Sequence, residues 1–286
     1  MRAKIRRWLT IVIGFVRDRP LGAAGALVIL LMVFAAVLAN ALAPYDPLEN
    51  DYGAMFQAPG GQHWLGTDSF GRDVLSRILY GSRTALWVGF CSSLFGTTIG
   101  ALIGVACAYF GGKTDLFTQR FMDILLSFPL IVLALVVVAV LASGIWNVIL
   151  AISTPMIPRA ALVVRSSALA LRQMAFIEAA LTLGASHWRV IFWHMVPNVM
   201  APYLIMLTAF LGQAILLEAS LSFLGLGVAE PTAAWGLMLR GAAVEFAERA
   251  PWMALFPGLA ISLAVFAFNT FGDSLRDALD PKLRLM

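Results

Sequence analysis

The sequence predicts an all-α protein that crosses a membrane six times. Its 286 residues are 60% hydrophobic and only 13% charged, about half the charged fraction of typical soluble domains. Its uncharged runs are also long enough to cross about 30 Å of hydrocarbon as helices. A chain with so little charge would expose too much apolar surface to water. Lipid is therefore the expected solvent for most of it.

The first predicted span runs from Leu21 to Ala43, behind a basic N-terminus. A cleaved signal peptide is the alternative, because Ala41-Leu42-Ala43 resembles a cleavage site. The apolar stretch is, however, longer than the core of about 7–15 residues that signal peptides have. The sequence therefore favours an uncleaved anchor helix.

The second predicted span covers about Thr84 to Phe110. It carries three glycines at four-residue spacing, which places them on one face of a helix. Small residues on one face allow the backbone of another membrane helix to approach closely. We therefore expect a tight helix–helix contact at Gly96, Gly100 and Gly104.

The third and fourth spans share the uncharged run from Ile124 to Pro158. As one helix that run would be ~50 Å long, too long for a single crossing. The predicted break is at Ala142-Ser143-Gly144. The fourth span then continues past Pro155, Pro158 and Arg159 towards Val164, and we expect it to be kinked and shielded by its neighbours.

The fifth predicted span covers about Asn198 to Ser222, and the sixth about Trp252 to Phe271. The chain then divides into three parts. Residues 1–83 form a cytoplasmic N-terminus, an anchor helix and an extracytoplasmic loop. Residues 84–275 form a core of five spans, and residues 276–286 form a cytoplasmic tail.

The distribution of basic residues predicts that both termini are cytoplasmic, because cytoplasmic segments carry an excess of Lys and Arg. With the N-terminus inside, fifteen basic residues fall inside: Arg2, Lys4, Arg6, Arg7, Arg17, Arg19, Lys113, Arg120, Arg159, Arg165, Arg172, Arg189, Arg276, Lys282 and Arg284. The outer loops hold five: Arg72, Arg77, Arg83, Arg240 and Arg249. These residues are not interleaved with aromatic ones, so nucleic-acid binding has little support.

A cytoplasmic segment from about Ser166 to Pro197 interrupts the membrane pattern. Small residues and good helix formers lead to Gly184, which suits a helix C-terminus, and Ser186 suits the N-cap of a second helix. That second helix should run from His187 to about Val196 and stop at Pro197. The pattern fits a tip that docks on another protein, or an amphipathic pair resting on the membrane surface.

Several other residues have competing interpretations. Glu218 is either a gating residue or a helix-end charge that orders the following turn. Arg120 and Asp123 are one helical turn apart and are expected to pair. The outer loop 44–83 either contacts a binding protein or caps its own helices.

Signals for chemistry within the chain are weak. The stretch from Cys107 to Thr114 differs from the phosphate-binding loop motif at one position, where Cys107 replaces the required glycine. It also follows a membrane helix and not a buried strand, which argues against ATP binding. The histidines are too scattered for a metal site. Cys91 and Cys107 would be ~24 Å apart on one helix and cannot pair.

The cytoplasmic segment resembles a known family motif. Glu178-Ala179-Ala180, then Gly184, then Val196-Pro197-Asn198 is similar to the EAA loop of binding-protein-dependent ABC importer permeases. Other stretches resemble the second, C-type subunit of dipeptide, oligopeptide and nickel permeases: Leu65–Arg77, Gly111–Asp115, Phe128-Pro129, Glu218–Gly227, Trp235-Gly236, Phe268-Asn269 and Asp280-Pro281. Two departures are Lys113, where the family often has an aromatic residue, and Leu181, where it usually continues Ala-Arg.

The resemblance implies a type I ABC importer permease fold in a bacterial inner membrane. It implies a non-catalytic subunit that pairs with a homologous permease and two ABC ATPase subunits, which bind ATP and Mg, and that receives solute from an extracytoplasmic binding protein. Peptides are the implied solute, and nickel, glutathione or opine-like compounds are alternatives. The implied coupling residues are Glu178, Ala179, Ala180, Gly184, Ala185 and Ser186, and Arg120, Asp123, Arg159 and Glu218 are gating or structural candidates.

A stand-alone channel or secondary transporter is the competing class. Such a protein would be expected to carry several ionisable residues at the membrane midplane or obvious inverted repeats. The predicted midplanes are nearly free of charge, and no convincing repeat is visible. The sequence therefore favours a subunit that takes its energy from a partner.

Overall fold

The computed structural model describes residues 14, 16–142, 144–246 and 248–279, with the side chains of 241–245 and 279 excepted. No strand occurs within those ranges; one isolated bridge joins Thr67 to Asp73. The helices are α1 (Pro20–Val37), α2 (Ala39–Leu42), α3 (Val74–Phe110), α4 (Gly112–Leu126), α5 (Leu130–Leu141), α6 (Ile145–Arg172), α7 (Ala175–Thr182), α8 (His187–Arg189), α9 (Met200–Phe223), α10 (Trp235–Glu245) and α11 (Trp252–Leu279).

Five helical segments are long and apolar enough to cross a membrane: α1, α3, α6, the continuous run that ends with α9, and α11. The pair α4 and α5 together makes a sixth candidate, but its two halves are bent by 94°. The break lies at Ser127-Phe128-Pro129, and α5 alone is only ~18 Å long. The third predicted span, placed at the start of the uncharged run from Ile124, is therefore a bent pair of helices that begins at Gly112. Proline and the residue before it disfavour helical continuation, which accounts for the bend.

Glycine contacts show that α3 and α6 run in the same direction. A Cβ atom on Gly96 would lie 2.7 Å from Cβ of Met156, and one on Gly104 would lie 2.5 Å from the carbonyl oxygen of Ala161. Residue numbers rise together along both helices, so the chain must return across the membrane between them. The bent pair α4–α5 lies between them, and counting it as one span gives six candidate crossings among the described residues.

The remaining helices alternate in direction. Gly89 on α3 lies against Ile215 on α9, and Thr98 contacts the Tyr203 hydroxyl nearer the start of α9 at 3.0 Å. These contacts make α9 antiparallel to α3. In turn, Gly212 on α9 lies against Asn269 of α11, which places α11 beside α9.

The start of α1 and the end of α11 lie at the same end of the molecule. The Arg19 guanidinium donates to the carbonyl oxygen of Ser274 and lies 3.5 Å from a carboxylate oxygen of Asp277. This proximity agrees with an even number of crossings between them. Residues 1–13 and 280–286, which hold part of the predicted cytoplasmic charge, lie outside the described residues.

Two predicted boundaries were wrong, and the end of the first span was predicted to within one residue. The second membrane helix begins at Val74 and not at Thr84, because the Asp73 side chain caps it by accepting from the backbone N–H of Ser76. The first helical path is interrupted at Leu38 and resumes as α2, which ends at Leu42, next to the predicted end at Ala43. The last continues to Leu279, past the predicted end at Phe271.

The predicted break between the third and fourth spans is confirmed. Ala142 has a φ of 67° and Gly144 a φ of 150°, and α6 begins at Ile145; Ser143 lies outside the described residues. The following helix continues through Pro155 and Pro158, as predicted, and both are buried. Shielding by neighbouring helices explains how these prolines are tolerated at membrane depth.

Candidate functional site

The segment between α6 and α9, residues 173–199, is the candidate site and is called the elbow below. Its first helix, α7, ends where Gly184 adopts a φ of 80°. The N–H of Ala185 donates to the carbonyl oxygen of Ala180 at 3.0 Å, and that of Gly184 to Leu181 at 3.0 Å. A left-handed residue with these bonds is a Schellman-type ending, which glycine adopts without strain. The predicted helix end at Gly184 is confirmed.

The second half of the elbow begins at Ser186, whose hydroxyl accepts from the N–H of Arg189 at 3.4 Å. The predicted N-cap is confirmed. The predicted stop at Pro197 is wrong, because the helical path continues through a π-helical stretch, Val190–Met195, and a 3-10 turn, Val196–Val199, into α9. Pro197 lies in the first turn of that 3-10 segment, where a missing N–H costs little.

Apolar side chains anchor the elbow to the membrane helices. Ile177 of α7 and Met195 of the π-helical stretch are 1% and 0% exposed. They belong to one buried cluster with the C-terminal ends of α3 and α6, formed by Ala101, Val105, Ala108, Tyr109, Val164, Ala168, Ile177, Val190, Ile191, Met195 and Val199. A displacement of the elbow must therefore move these helices or break the cluster.

Two polar contacts reinforce the same junction. The hydroxyl of Tyr109, in the last turn of α3, lies 2.7 Å from Nδ1 of His187. The guanidinium of Arg172, at the end of α6, donates to the carbonyl oxygen of Ala108 at 3.1 Å. The residue just before the elbow and the start of its second half are thus both tied to the final turn of α3.

The outer side of the elbow is open. Glu178, Ala179, Gly184 and Ser186 are exposed, whereas Ala180 and Ala185 are half-buried. A Cβ atom on Gly184 would meet nothing within 4 Å. The tip also exposes large apolar side chains, namely Leu183 (88%), Trp188 (69%) and Trp193 (78%). Small residues beside exposed aromatics form a surface suited to docking.

An ion pair that the sequence did not reveal lies close to the elbow. Arg165 of α6 donates to both carboxylate oxygens of Asp115 in α4, at 2.6 and 2.5 Å. The predicted pair of Arg120 with Asp123 is much weaker, at 4.0 Å with side chains 76% and 57% exposed. Arg165 and Asp115 are fifty residues apart in the sequence, so the spacing of residues along a helix could not predict their contact.

Glu218 is 1% exposed near the outer end of α9. Its carboxylate accepts a hydrogen bond from the Ser222 hydroxyl at 2.7 Å, and that hydroxyl accepts from the N–H of Val228 at 3.4 Å. These contacts link the helix end to the turn that follows it. They favour the structural interpretation of Glu218 over the gating one.

Arg159 is exposed on α6, ~21 Å along the helix from Ile145 and ~20 Å from its end at Arg172, so it lies in the middle of the span and not in the cytoplasm, where the charge count placed it. Within the described part of the chain it has no hydrogen bond or ion pair. An unpaired guanidinium facing lipid at this depth would be costly. That face of α6 is therefore suited to a protein partner or an aqueous path.

The loop 44–83 has a polar core. Nδ1 of His63 lies 3.0 Å from a carboxylate oxygen of Asp73, within hydrogen-bond distance, and Arg72 forms an ion pair with Asp68 at 2.7 Å. Because Asp73 also caps α3, the loop caps its own helix, one of its two predicted roles. Contact with a binding protein stays a prediction.

Comparison with known proteins agrees with this arrangement. A family model described as the binding-protein-dependent transport system inner membrane component matches residues 96–285. A second, the N-terminal TM domain of oligopeptide transport permease C, matches residues 15–59. A solved structure of the MetNI methionine ABC transporter, in an inward-facing conformation, is similar with a TM-score of 0.53 at 18% identity, over 71% of this chain and 96% of that chain.

Curated relatives match over most of their length. The chain is 44% identical over 272 residues to the glutathione transport system permease protein GsiD of Pectobacterium atrosepticum, covering 94% of this chain and 89% of that protein. It is 43% identical over 270 residues to GsiD of an Escherichia coli O1:K1 strain, covering 94% and 88%. The chain belongs to the family of binding-protein-dependent transport system inner membrane components, the permeases of ABC importers.

Proposed function

We propose that this chain forms half of the translocation path of an ATP-driven peptide importer and couples to a separate ATPase through its elbow. The proposal rests on one observation: the elbow has one side buried against the membrane helices and another side exposed. One side is buried among the inner ends of α3 and α6, while the tip around Gly184 is exposed. Force applied to the tip would thus be transmitted to the membrane helices.

The coupling residues in this proposal are Glu178, Ala179, Ala180, Gly184, Ala185 and Ser186. The ATPase groove would receive the small-residue tip, and the exposed Trp188 and Trp193 would contact its rim. ATP can shift the helices only if the elbow is held differently in the two states of the ATPase pair. ATP and Mg would be bound by the ATPase subunits, and this chain would perform no covalent chemistry.

A homologous permease would complete the path. The exposed Arg159 supports this assignment, because its face of α6 needs a polar or aqueous neighbour. We assign a second permease subunit to that face, and an extracytoplasmic binding protein to the opposite end of the molecule from the elbow.

Both termini are proposed to be cytoplasmic, in a bacterial inner membrane. The excess of basic residues on the elbow side and the proximity of Arg19 to Asp277 support this orientation. A protease added to right-side-out vesicles should spare a C-terminal tag and cleave only after permeabilisation. Cleavage in sealed vesicles would contradict the orientation.

The solute class rests on the names of similar proteins. One matching family is an oligopeptide permease, and the relatives described above transport glutathione, itself a tripeptide. We therefore propose peptides with a free carboxylate as solutes. Nickel chelates and opine-like compounds are alternatives that uptake by the reconstituted complex would distinguish.

Copurification tests the assembly. Extracted in mild detergent from its native cells, the tagged chain should bring down a homologous permease and ABC ATPase chains, and the complex should hydrolyse ATP. A stand-alone secondary transporter would purify alone and would respond to an ion gradient. ATP-independent, gradient-driven uptake would overturn the proposal.

A further inference from the structure

A charged cavity lies at the end of the molecule opposite the elbow. It has a volume of about 480 Å³ and is lined by the loop before α3, the start of α3, the turn that follows α9, α10 and the start of α11. Small-molecule sites typically occupy about 300–1,000 Å³. Its charged lining residues are Asp68, Arg72, Arg77, Glu230 and Arg240.

The lining carries more positive than negative charge, with three guanidinium groups and two carboxylates. Asp68 binds Arg72 at 2.7 Å, and Glu230 lies 3.6 Å from the same guanidinium. Both carboxylates are therefore directed at Arg72, which leaves the other two arginines incompletely neutralised. The cavity has room for one additional negative charge.

Arg77 adds buried positive charge to the lining. Its side chain is only 2% exposed. One terminal nitrogen donates to the carbonyl oxygen of Pro47 at 2.9 Å, and Nε is buried without a hydrogen-bond partner, 3.7 Å from a carboxylate oxygen of Asp68. The charge of Arg77 is therefore only partly neutralised, and it would attract an anion in the cavity through its charge and not through a direct hydrogen bond from Nε.

Arg240 supplies an accessible cation. Its guanidinium packs against the backbone at Gly225, which has a φ of 80°. A Cβ atom at Gly225 would lie 2.6 Å from a terminal nitrogen of Arg240, so a larger residue there would displace the guanidinium from this position. Among the side chains that the structure describes, none forms an ion pair with Arg240. The fork of a guanidinium matches both oxygens of a carboxylate.

We propose that this cavity binds the carboxylate of the transported solute on the exposed guanidinium of Arg240, with the buried charge of Arg77 adding electrostatic attraction, before the solute enters the membrane path. The half-exposed Glu230 carboxylate is available to an ammonium group of the same solute. The cavity would then be a low-affinity binding site for zwitterionic peptides. This inference rests on the proposed function for its solute class.

The test measures equilibrium binding of radiolabelled trialanine and glutathione to the complete permease–ATPase complex in nanodiscs, without binding protein, into the millimolar range. Trialanine amide is the competitor that lacks the carboxylate. We expect saturable binding, with the amide competing at least about tenfold more weakly, because a charged hydrogen bond is lost.

Variants of exposed residues localise the site. Arg240→Gln should weaken binding at least about tenfold, Arg240→Lys should restore part of it, and Arg249→Gln should leave it unchanged. Arg249 is a matched control because it is also exposed in an outer segment but lies over the Phe56 ring. Equal competition by the amide, equal effects of Arg240→Gln and Arg249→Gln, or no saturable binding would each overturn the inference.

Two further measurements distinguish a failure of this inference from a failure of the proposed function. Docking of the unliganded binding protein should be the same for wild type and Arg240→Gln; weaker docking would mean that an acidic side chain of that protein occupies the cavity, which overturns the inference. Peptide uptake by the wild-type complex with its binding protein tests the proposed function separately. Normal uptake with binding that ignores the carboxylate would overturn the inference alone.

Discussion

The hydroxyl of Tyr109 lies 2.7 Å from Nδ1 of His187, and this contact joins the last turn of α3 to the first turn of α8. The two rings also meet edge to face, with centroids 5.6 Å apart. Tyr109 is at the end of a 37-residue helix, and His187 is in the elbow. This contact lies where a displacement of the elbow would reach the membrane core.

Tyr109→Phe should weaken coupling without removing the elbow. The ring contact remains, but one neutral hydrogen bond of about 0.5–1.5 kcal/mol is lost. We expect solute-stimulated ATP hydrolysis to fall about two- to tenfold in proteoliposomes, at unchanged protein levels. Tyr203→Phe is the control, because it removes a 3.0 Å contact between α3 and α9 that does not involve the elbow. An equal loss in both variants would argue against a specific role for Tyr109.

Gly184→Trp should uncouple transport from ATP hydrolysis while leaving the chain in the membrane. The indole would project from the tip into the space that a docked ATPase would occupy. We expect uptake to fall at least about tenfold, with ATPase copurification reduced.

Gly112→Trp is the matched control for the tip. Gly112 has a φ of 56° and Gly184 a φ of 80°, and neither would bring a Cβ within 4 Å of another group. Both substitutions therefore carry a similar backbone strain of about 1–2 kcal/mol. If the two variants lose uptake equally, strain and not docking explains the effect.

Asp115→Asn should destabilise the inner ends of α4 and α6. It converts a bidentate, partly shielded ion pair with Arg165 into at most one hydrogen bond from the charged guanidinium to an amide oxygen. Because both side chains retain some solvent contact (20% and 25% exposed), we expect a loss of only about 1–2 kcal/mol. A lowered midpoint of thermal unfolding in detergent would report it.

Asp123→Asn provides the comparison on the same helix. Its pair with Arg120 is exposed and at the distance limit, so the loss should be below about 0.5 kcal/mol. Equal destabilisation by the two variants would contradict the importance assigned to the Arg165 pair.

Two substitutions at Glu218 separate its structural and gating interpretations. Glu218→Gln keeps an acceptor for the Ser222 hydroxyl, whereas Glu218→Leu leaves that buried hydroxyl without one at a cost of about 1–3 kcal/mol. We expect thermal stability close to wild type for the first and clearly lower for the second, with transport following stability. A stable Glu218→Gln variant that has lost transport would instead favour gating.

Local signals in the sequence predicted local features well. Gly184 and Ser186 were identified as a helix end and an N-cap because those roles depend on a residue's own backbone and hydroxyl. The break before Ile145 was predicted from the length of an uncharged run. The same reasoning gave a wrong prediction at Pro197. Proline disrupts a helix when it lies in the interior, but it is tolerated in the first turn.

By itself, the sequence determined that this chain belongs in lipid, roughly which segments span the membrane and that an elbow interrupts them. These properties follow from composition and from signals a few residues long. Only the tertiary structure decided that α3 and α6 run parallel, that Arg165 meets Asp115, and that three arginines line one cavity. Such contacts join residues tens to well over a hundred positions apart, and they depend on which helix faces meet. That choice is made by packing of the whole chain and leaves no periodic signal in any one segment.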